Sequence, residues 1–164
     1  METNARRMVF KEHLIKKILA GVKTQTRRLI KKTEKDIKYR IGDILYVPES
    51  FCMTDDGRIH YRLDEPDAWL HWQASLFMPM RYARVWLEVD DSYEQTVREI
   101  TEDEATKEGF EARWERGQFL SPRDQFARVF DECYGEGTWG RNPLVWVVQF
   151  HRIKPPVKML VTRE

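Results

Sequence analysis

Apolar positions recur at helical spacing in two stretches of the chain, and in short runs or alternation over most of the rest. Between residues 11 and 20, Leu14, Ile15, Ile18 and Leu19 fall at i, i+1, i+4 and i+5. That spacing makes one apolar helix stripe and leaves Lys11, Lys16 and Lys17 to solvent. Gly21 stands where a glycine in the left-handed conformation releases the chain from such a helix. Further on, Ser121 followed by Pro122 predicts a second helix, in which Phe126, Val129, Phe130 and Cys133 form a core stripe ending at Gly135. Thr101-Glu102-Asp103-Glu104 has the form of a capping box, so a short helix is expected from Glu102 until Gly109 stops it.

Strand signals separate these helices. The segment from Arg7 to Phe10 is a short apolar start, and residues 22 to 30 read as a strand because two threonines interrupt any helical stripe. Ile44-Leu45-Tyr46-Val47 is a continuous apolar run that Pro48 ends. Asp55-Asp56-Gly57 predicts a hairpin between residues 50–54 and 58–62, since Gly accepts the positive φ of a tight turn. Residues 63 to 82, with Pro66 and Pro79, are irregular, and alternation returns at Arg84 to Val89. Leu144 to Phe150 closes the sheet before a basic tail. Few helices among mostly contiguous strands predict an α+β fold, a small mixed β-barrel with flanking helices, in preference to a doubly wound sheet.

Composition adds bounds to that picture. The chain has 164 residues, 41% hydrophobic and 34% charged, enough for one core, and it is read as a single domain over residues 1–164 with insertions near 52–80 and 111–140. No apolar run approaches the roughly 18 residues that span a bilayer, and METNARRMVF lacks a secretory pattern, so a cytoplasmic protein without a membrane partner is expected. Cys52 and Cys133 are isolated and the four histidines are scattered, so neither a disulfide scaffold, a metal nor another cofactor is expected. The net charge of +1 conceals segregation: +9 over residues 1–40, −12 over 41–140 and +4 over 141–164.

The densest chemistry lies in Gly21-Val22-Lys23-Thr24-Gln25-Thr26-Arg27-Arg28, with Lys31 and Lys32 beyond it. A lysine, two hydroxyls and two guanidiniums at one helix-to-strand junction suit recognition of phosphate or carboxylate, because Arg offers a planar fork and Lys a compact charge. The competing reading is a solvated basic edge that protects an exposed strand. Glu49, after Pro48, faces a cleft or pairs with Arg28, and the ion pair is favoured. Trp69, Trp72 and Tyr82, in or beside the irregular segment, are the candidates for base stacking, whereas Trp86 and Trp146 belong to strands.

These residues carry a resemblance. G-x-K-T-x-T-x-R from Gly21, I-G-D-x-L-x-V-x-E-S-F at 41–51, Met78-Pro79 with Arg84 before V-W-L-E-V, I-T-E-D-E-A-x-x-E-G at 100–109 and N-P-L-V-W-V-V-Q-F at 142–150 together resemble ASCH domains, relatives of the PUA RNA-binding fold. The longer subgroup common in phages is the most similar. The resemblance implies a PUA-like pseudo-barrel with a cleft for RNA or a modified nucleoside. It also implies kinship with small amidohydrolases that remove the acetyl group of N4-acetylcytidine, whose lysine, threonine and glutamate match Lys23, Thr26 and Glu108. In that chemistry Thr26 is the nucleophile, Lys23 its base and Glu108 the proton shuttle. Thr24, Arg27, Arg28, Glu49 and Arg84, with Trp69 and Trp72, are then expected to contact nucleic acid or substrate.

Two features of the sequence oppose that assignment. On a continuous strand Lys23 and Thr26 have opposite parity and point to opposite faces. Glu108, beside Gly109 in an acidic helix, has the surroundings of a solvent-facing residue. The alternatives are therefore a non-catalytic module that binds single-stranded nucleic acid, and a phage-encoded protein-interaction factor using the acidic run from Glu88 to Glu115.

Overall fold

A computed structural model of the chain describes residues 5–31 and 39–157. Lys32, most of the loop leading to Arg40 and the end of the basic tail lie outside the described residues. The elements follow in the order β1 (Arg6–Arg7), α1 (Glu12–Leu19), β2 (Gln25–Leu29), β3 (Ile44–Val47), β4 (Phe51–Met53), β5 (Ile59–Tyr61), β6 (Val85–Thr96), α2 (Glu102–Lys107), β7 (Arg113–Glu115), β8 (Gln118–Leu120), α3 (Pro122–Tyr134) and β9 (Leu144–Ile153). Short 3-10 turns occupy Ser75–Phe77, Met80–Tyr82 and Val97–Glu99.

Five strands, in the order β1-β3-β6-β9-β2, form one curled half-barrel sheet, and the fold is the mixed α+β barrel type expected. Its spine is the antiparallel pair β6 and β9, in register from Trp86 opposite Ile153 to Thr96 opposite Leu144, with a shift between Val89 and Asp91. A bulge of this kind bends the strand and increases its twist, which is how a short sheet curls. One face buries Met8, Ile15, Ile18, Leu45, Leu87 and Phe150 beneath α1. The other buries Val97, Ile100, Phe126, Phe130, Val145 and Val147 beneath α2 and α3. Trp86 is fully buried in a third cluster with Phe51, Met78 and Ala83, which pins the irregular segment to the sheet.

The starts of α2 and α3 follow their local chemistry. Thr101 Oγ1 accepts from the Glu104 N–H while the Glu104 carboxylate accepts from the Thr101 N–H, a complete capping box. Ser121 Oγ accepts from the Asp124 N–H at 3.0 Å, and Pro122 takes the first helical position. Ser121→Ala is therefore expected to cost about 1 kcal/mol, read as a lower denaturant midpoint with an unchanged slope.

Three expectations need correction. The strand expected over 22–30 is confined to Gln25–Leu29, because Val22 and Lys23 still bond back to the Lys17 carbonyl and finish the helix turn. The strand expected to end at Val89 runs on to Thr96, since its acidic half is held by pairing with β9 rather than by burial. Cys133 is exposed and does not belong to the core stripe, which Phe126 and Phe130 carry. Between α2 and α3, where no element was expected, a hairpin joins β7 to β8, turning at Arg116 (φ 51°) and Gly117 (φ 75°).

Candidate functional site

β2 is an edge strand, and its free edge forms one side of a cavity. Phe150 donates to the Thr24 carbonyl and Ile30 to that of Leu144, so in the antiparallel register the even-numbered residues of β2 bond to β9. Odd-numbered residues direct their main-chain groups the other way. Along that edge lies a cavity of about 350 Å³ whose polar floor comprises Lys23, Thr26, Arg27, Arg28 and Glu108. Phe10, Phe110, Phe126, Phe130 and Tyr134 wall it. Its volume falls within the range of about 300–1,000 Å³ usual for small-molecule sites, and the mixture of aromatic walls with a few convergent polar groups is theirs too. Lys23 and Thr26, together with Glu108 more than eighty residues further along the chain, all line it.

Glu108 organises the floor. Although α2 is acidic, Glu108 caps its end and is only 2% exposed. Its Oε2 accepts from Lys23 Nζ at 3.0 Å and its Oε1 from Arg27 Nη1 at 2.8 Å. Lys23 Nζ also donates to the main-chain oxygens of Gln25 and Glu108, each at 2.8 Å, so its three protons have three acceptors. Arg27 is bound further by Gln25 Oε1 at 2.7 Å and Gln95 Oε1 at 3.1 Å, and its Nη2 lies 3.4 Å from Glu104. Lys23 and Arg27 are thus buried, and a solvated basic edge is excluded for both. The parity objection also falls away, because Lys23 precedes β2 and approaches the cavity from the turn.

Two buried cations share one buried carboxylate, with half-exposed Arg28 beside them, so the floor carries excess positive charge. Burial lowers the Lys23 pKa from 10.5, and the neighbouring Arg28 and Arg27 push in the same direction, while Glu108 offsets part of the effect. A lysine that sheds its proton earlier when folded leaves the unfolded chain binding more protons between the lowered value and 10.5. Stability should therefore rise with pH across that window and stay flat below it. Denaturant midpoints measured up to pH 10.5 should show this rise, and it should flatten in Lys23→Met.

Thr26 and Arg28 occupy the adjoining part of the floor. Arg28 Nε donates to Thr26 Oγ1 at 3.3 Å and Arg28 Nη2 to the Val9 carbonyl at 2.7 Å, with the guanidinium 4.7 Å from the Phe10 ring centre. Lys23 Nζ bears on the same ring at 5.5 Å. A guanidinium at the Thr26 hydroxyl favours its alkoxide and any oxyanion that forms nearby.

The remaining expected residues lie elsewhere. Thr24 is exposed outside this cavity, its N–H bound to the Lys107 carbonyl. Glu49 pairs with Arg84 and not with Arg28: Arg84 Nε and Nη2 donate to its two oxygens at 2.8 and 2.9 Å, and Nη1 to Asp64 at 2.7 Å. The reason is topological, since Glu49 leaves β3 on the side of β6, whereas Arg28 lies at the far edge of the sheet. Burial works against the Arg84 charge, but its bonds to Glu49 and Asp64 outweigh it and raise the pKa. With Tyr61 4.2 Å beneath the guanidinium, this cluster anchors the irregular segment. Trp69 is wholly exposed and Trp72 half-buried, and neither lines the cavity.

The aromatic wall and the glutamines were not visible to sequence reasoning as site residues. Phe110, Phe126, Phe130 and Tyr134 follow core spacing, and Gln25 and Gln95 are selected by the Arg27 side chain that they hold. Among the described residues, no group of three or more His, Cys, Asp or Glu is placed to hold a metal ion, and no helix is long and apolar enough to cross a membrane.

No family model and no curated protein sequence matches the chain. Solved structures do. An ASCH domain from Lactobacillus crispatus JV V101 is similar with a TM-score of 0.53 at 16% identity, over 93% of this chain and 81% of the other. Protein EF3133 from Enterococcus faecalis V583, of the family DUF984, is similar with a TM-score of 0.56 at 13% identity, over 94% and 78%. The hypothetical protein PH0355 is similar with a TM-score of 0.50 at 16% identity, over 92% and all of its length. The fold is that of an ASCH domain.

Proposed function

We propose that this protein binds a nucleoside, free or within RNA, in the β2 cavity and hydrolyses an amide on the bound base, with N4-acetylcytidine as the representative substrate. One observation carries the proposal: Lys23, Thr26 and Glu108 converge on a single aromatic-walled cavity of nucleoside-compatible size. Neutral Lys23, favoured by its burial, takes the Thr26 hydroxyl proton as Thr26 Oγ1 attacks the acetyl carbonyl carbon. Arg28, already at Thr26 Oγ1, faces the oxyanion as it develops. Collapse breaks the C–N bond, and the Lys23 ammonium returns its proton to the departing exocyclic amine. Water then cleaves the threonine ester to acetate. Glu108 holds Lys23 in place for both transfers.

A second reading rests on the saturation of the same groups. All three Lys23 protons and both Glu108 oxygens are engaged within the protein, and Lys23 has no hydrogen bond to Thr26 among the described residues. Such a network also serves a module that binds a nucleoside without reacting. Purified protein incubated with N4-acetylcytidine separates the two readings. Release of cytidine and acetate, lost in Lys23→Ala, is the expected result; a bound but unchanged nucleoside would favour the module.

A further inference from the structure

The free edge of β2 holds a feature that neither reading has used. Of its three outward residues, Gln25 has its carbonyl taken by Lys23 Nζ at 2.8 Å, and Leu29 donates its N–H to the Tyr134 hydroxyl at 3.3 Å. Between them stands Arg27, 4% exposed, whose main-chain N–H and C=O point away from β9 by the same register. Among the described residues neither group has a hydrogen-bonding partner. Lys23, Arg27 and Tyr134 all line the one cavity. The Arg27 side chain is fully buried, so the small remaining exposure of this residue belongs to its main chain, and a ligand that bonds both groups replaces water there with two directed partners.

We propose that the Arg27 main chain reads the hydrogen-bonding edge of the base, its N–H donating to a ring nitrogen and its C=O accepting from the adjacent exocyclic N–H. This inference rests on the nucleoside reading above and deepens it by assigning the ligand class: a base that offers an acceptor beside an N–H donor. Cytosine does so at N3 and N4, and one N4–H survives acylation.

The caps at both ends of the edge argue for this occupant over an added peptide strand. β-augmentation needs a run of free groups, but Lys23 and Tyr134 close the positions on either side of Arg27. Between those two caps one donor and one acceptor remain open, which matches a flat ligand of single-base width. The rings of Phe10, Phe126 and Phe130 supply apolar surface for its faces. The Arg27 side chain is meanwhile fixed on Glu108, Gln25 and Gln95. A residue chosen from sequence for its guanidinium thus contributes its peptide group.

Because a main-chain group cannot be deleted without disturbing β2, the ligand is varied instead. Cytidine, N4-acetylcytidine and N4,N4-dimethylcytidine are titrated into 15N-labelled Thr26→Ala protein, which leaves the acetyl group intact, and amide exchange is followed residue by residue. The dimethyl compound keeps N3 but has no N–H, its second methyl standing where cytidine and the acetyl compound carry that hydrogen, so protection of the Arg27 amide by the other two is what separates a lost hydrogen bond from added bulk. The expected result is about tenfold weaker binding of the dimethyl compound, and slowed exchange of the Arg27 amide by about tenfold or more with the other two. Equal affinity for all three, or nucleoside binding that leaves the Arg27 amide unprotected, would overturn the inference while sparing the nucleoside reading. Failure of every nucleoside to bind would overturn both.

Discussion

Truncating Glu108 to alanine is expected to destabilise the fold by about 3–5 kcal/mol, because it leaves Lys23 and Arg27 buried without their shared counter-charge. The two cations have side chains no more than 1% exposed, so water does not screen them. Lys23→Ala should cost less, under about 2 kcal/mol, since Glu108 keeps Arg27 and the expense of burying an ammonium disappears. Urea unfolding of both variants measures the difference. Equal losses in the two, or a loss below about 1 kcal/mol for Glu108→Ala, would mean that the carboxylate does not hold the floor together.

Turnover should depend directly on Lys23 and Thr26. Lys23→Ala is expected to lower kcat/KM for N4-acetylcytidine by about 100- to 10,000-fold, the usual contribution of a positioned base. Thr26→Ala should lower it at least as far, because the covalent route then has no nucleophile. Nucleoside affinity in Thr26→Ala should change little, since the lost hydroxyl accepts only one bond, from Arg28. If Lys23 is the base, kcat should also rise with pH through its lowered pKa, below the ordinary 10.5. A Thr26→Ala enzyme that retains full kcat would remove the nucleophile from the proposed chemistry.

The parts of the fold that are written locally were legible in the sequence. The Thr101 and Ser121 caps, the positive φ at Gly21 and Gly57 and the stripe through Phe126 and Phe130 each depend on residues within a turn or two of one another. The continuation of β6 past Val89 was not, because Asp90 to Thr96 lack alternation and become a strand only against β9. The hairpin at Arg116 was hidden for a different reason: its turn places a non-glycine residue at positive φ.

The site divides along the same line. Lys23 and Glu108 stand 85 residues apart, so no spacing rule joins them, and their pairing entered through the ASCH resemblance alone. Glu49 was assigned Arg28 as the plausible cation nearby, whereas sheet order places Arg84 beside it. Trp69 and Trp72 were chosen because irregular segments carry binding residues, yet the aromatic surface facing the polar floor comes from α3, Phe10 and Phe110. Helix-spaced aromatics read as core in any sequence, and here part of that core doubles as a cavity wall.

The most direct test of the account is an NMR titration of the full-length protein with N4-acetylcytidine, using the non-hydrolysing Thr26→Ala variant to keep the ligand intact. The account predicts shifts confined to residues 9–11, 23–29, 108–110 and 126–134, the segments that meet around the β2 cavity. Shifts centred instead on Trp69, Trp72 and the 3-10 turns, or no saturable shift at millimolar ligand, would contradict it.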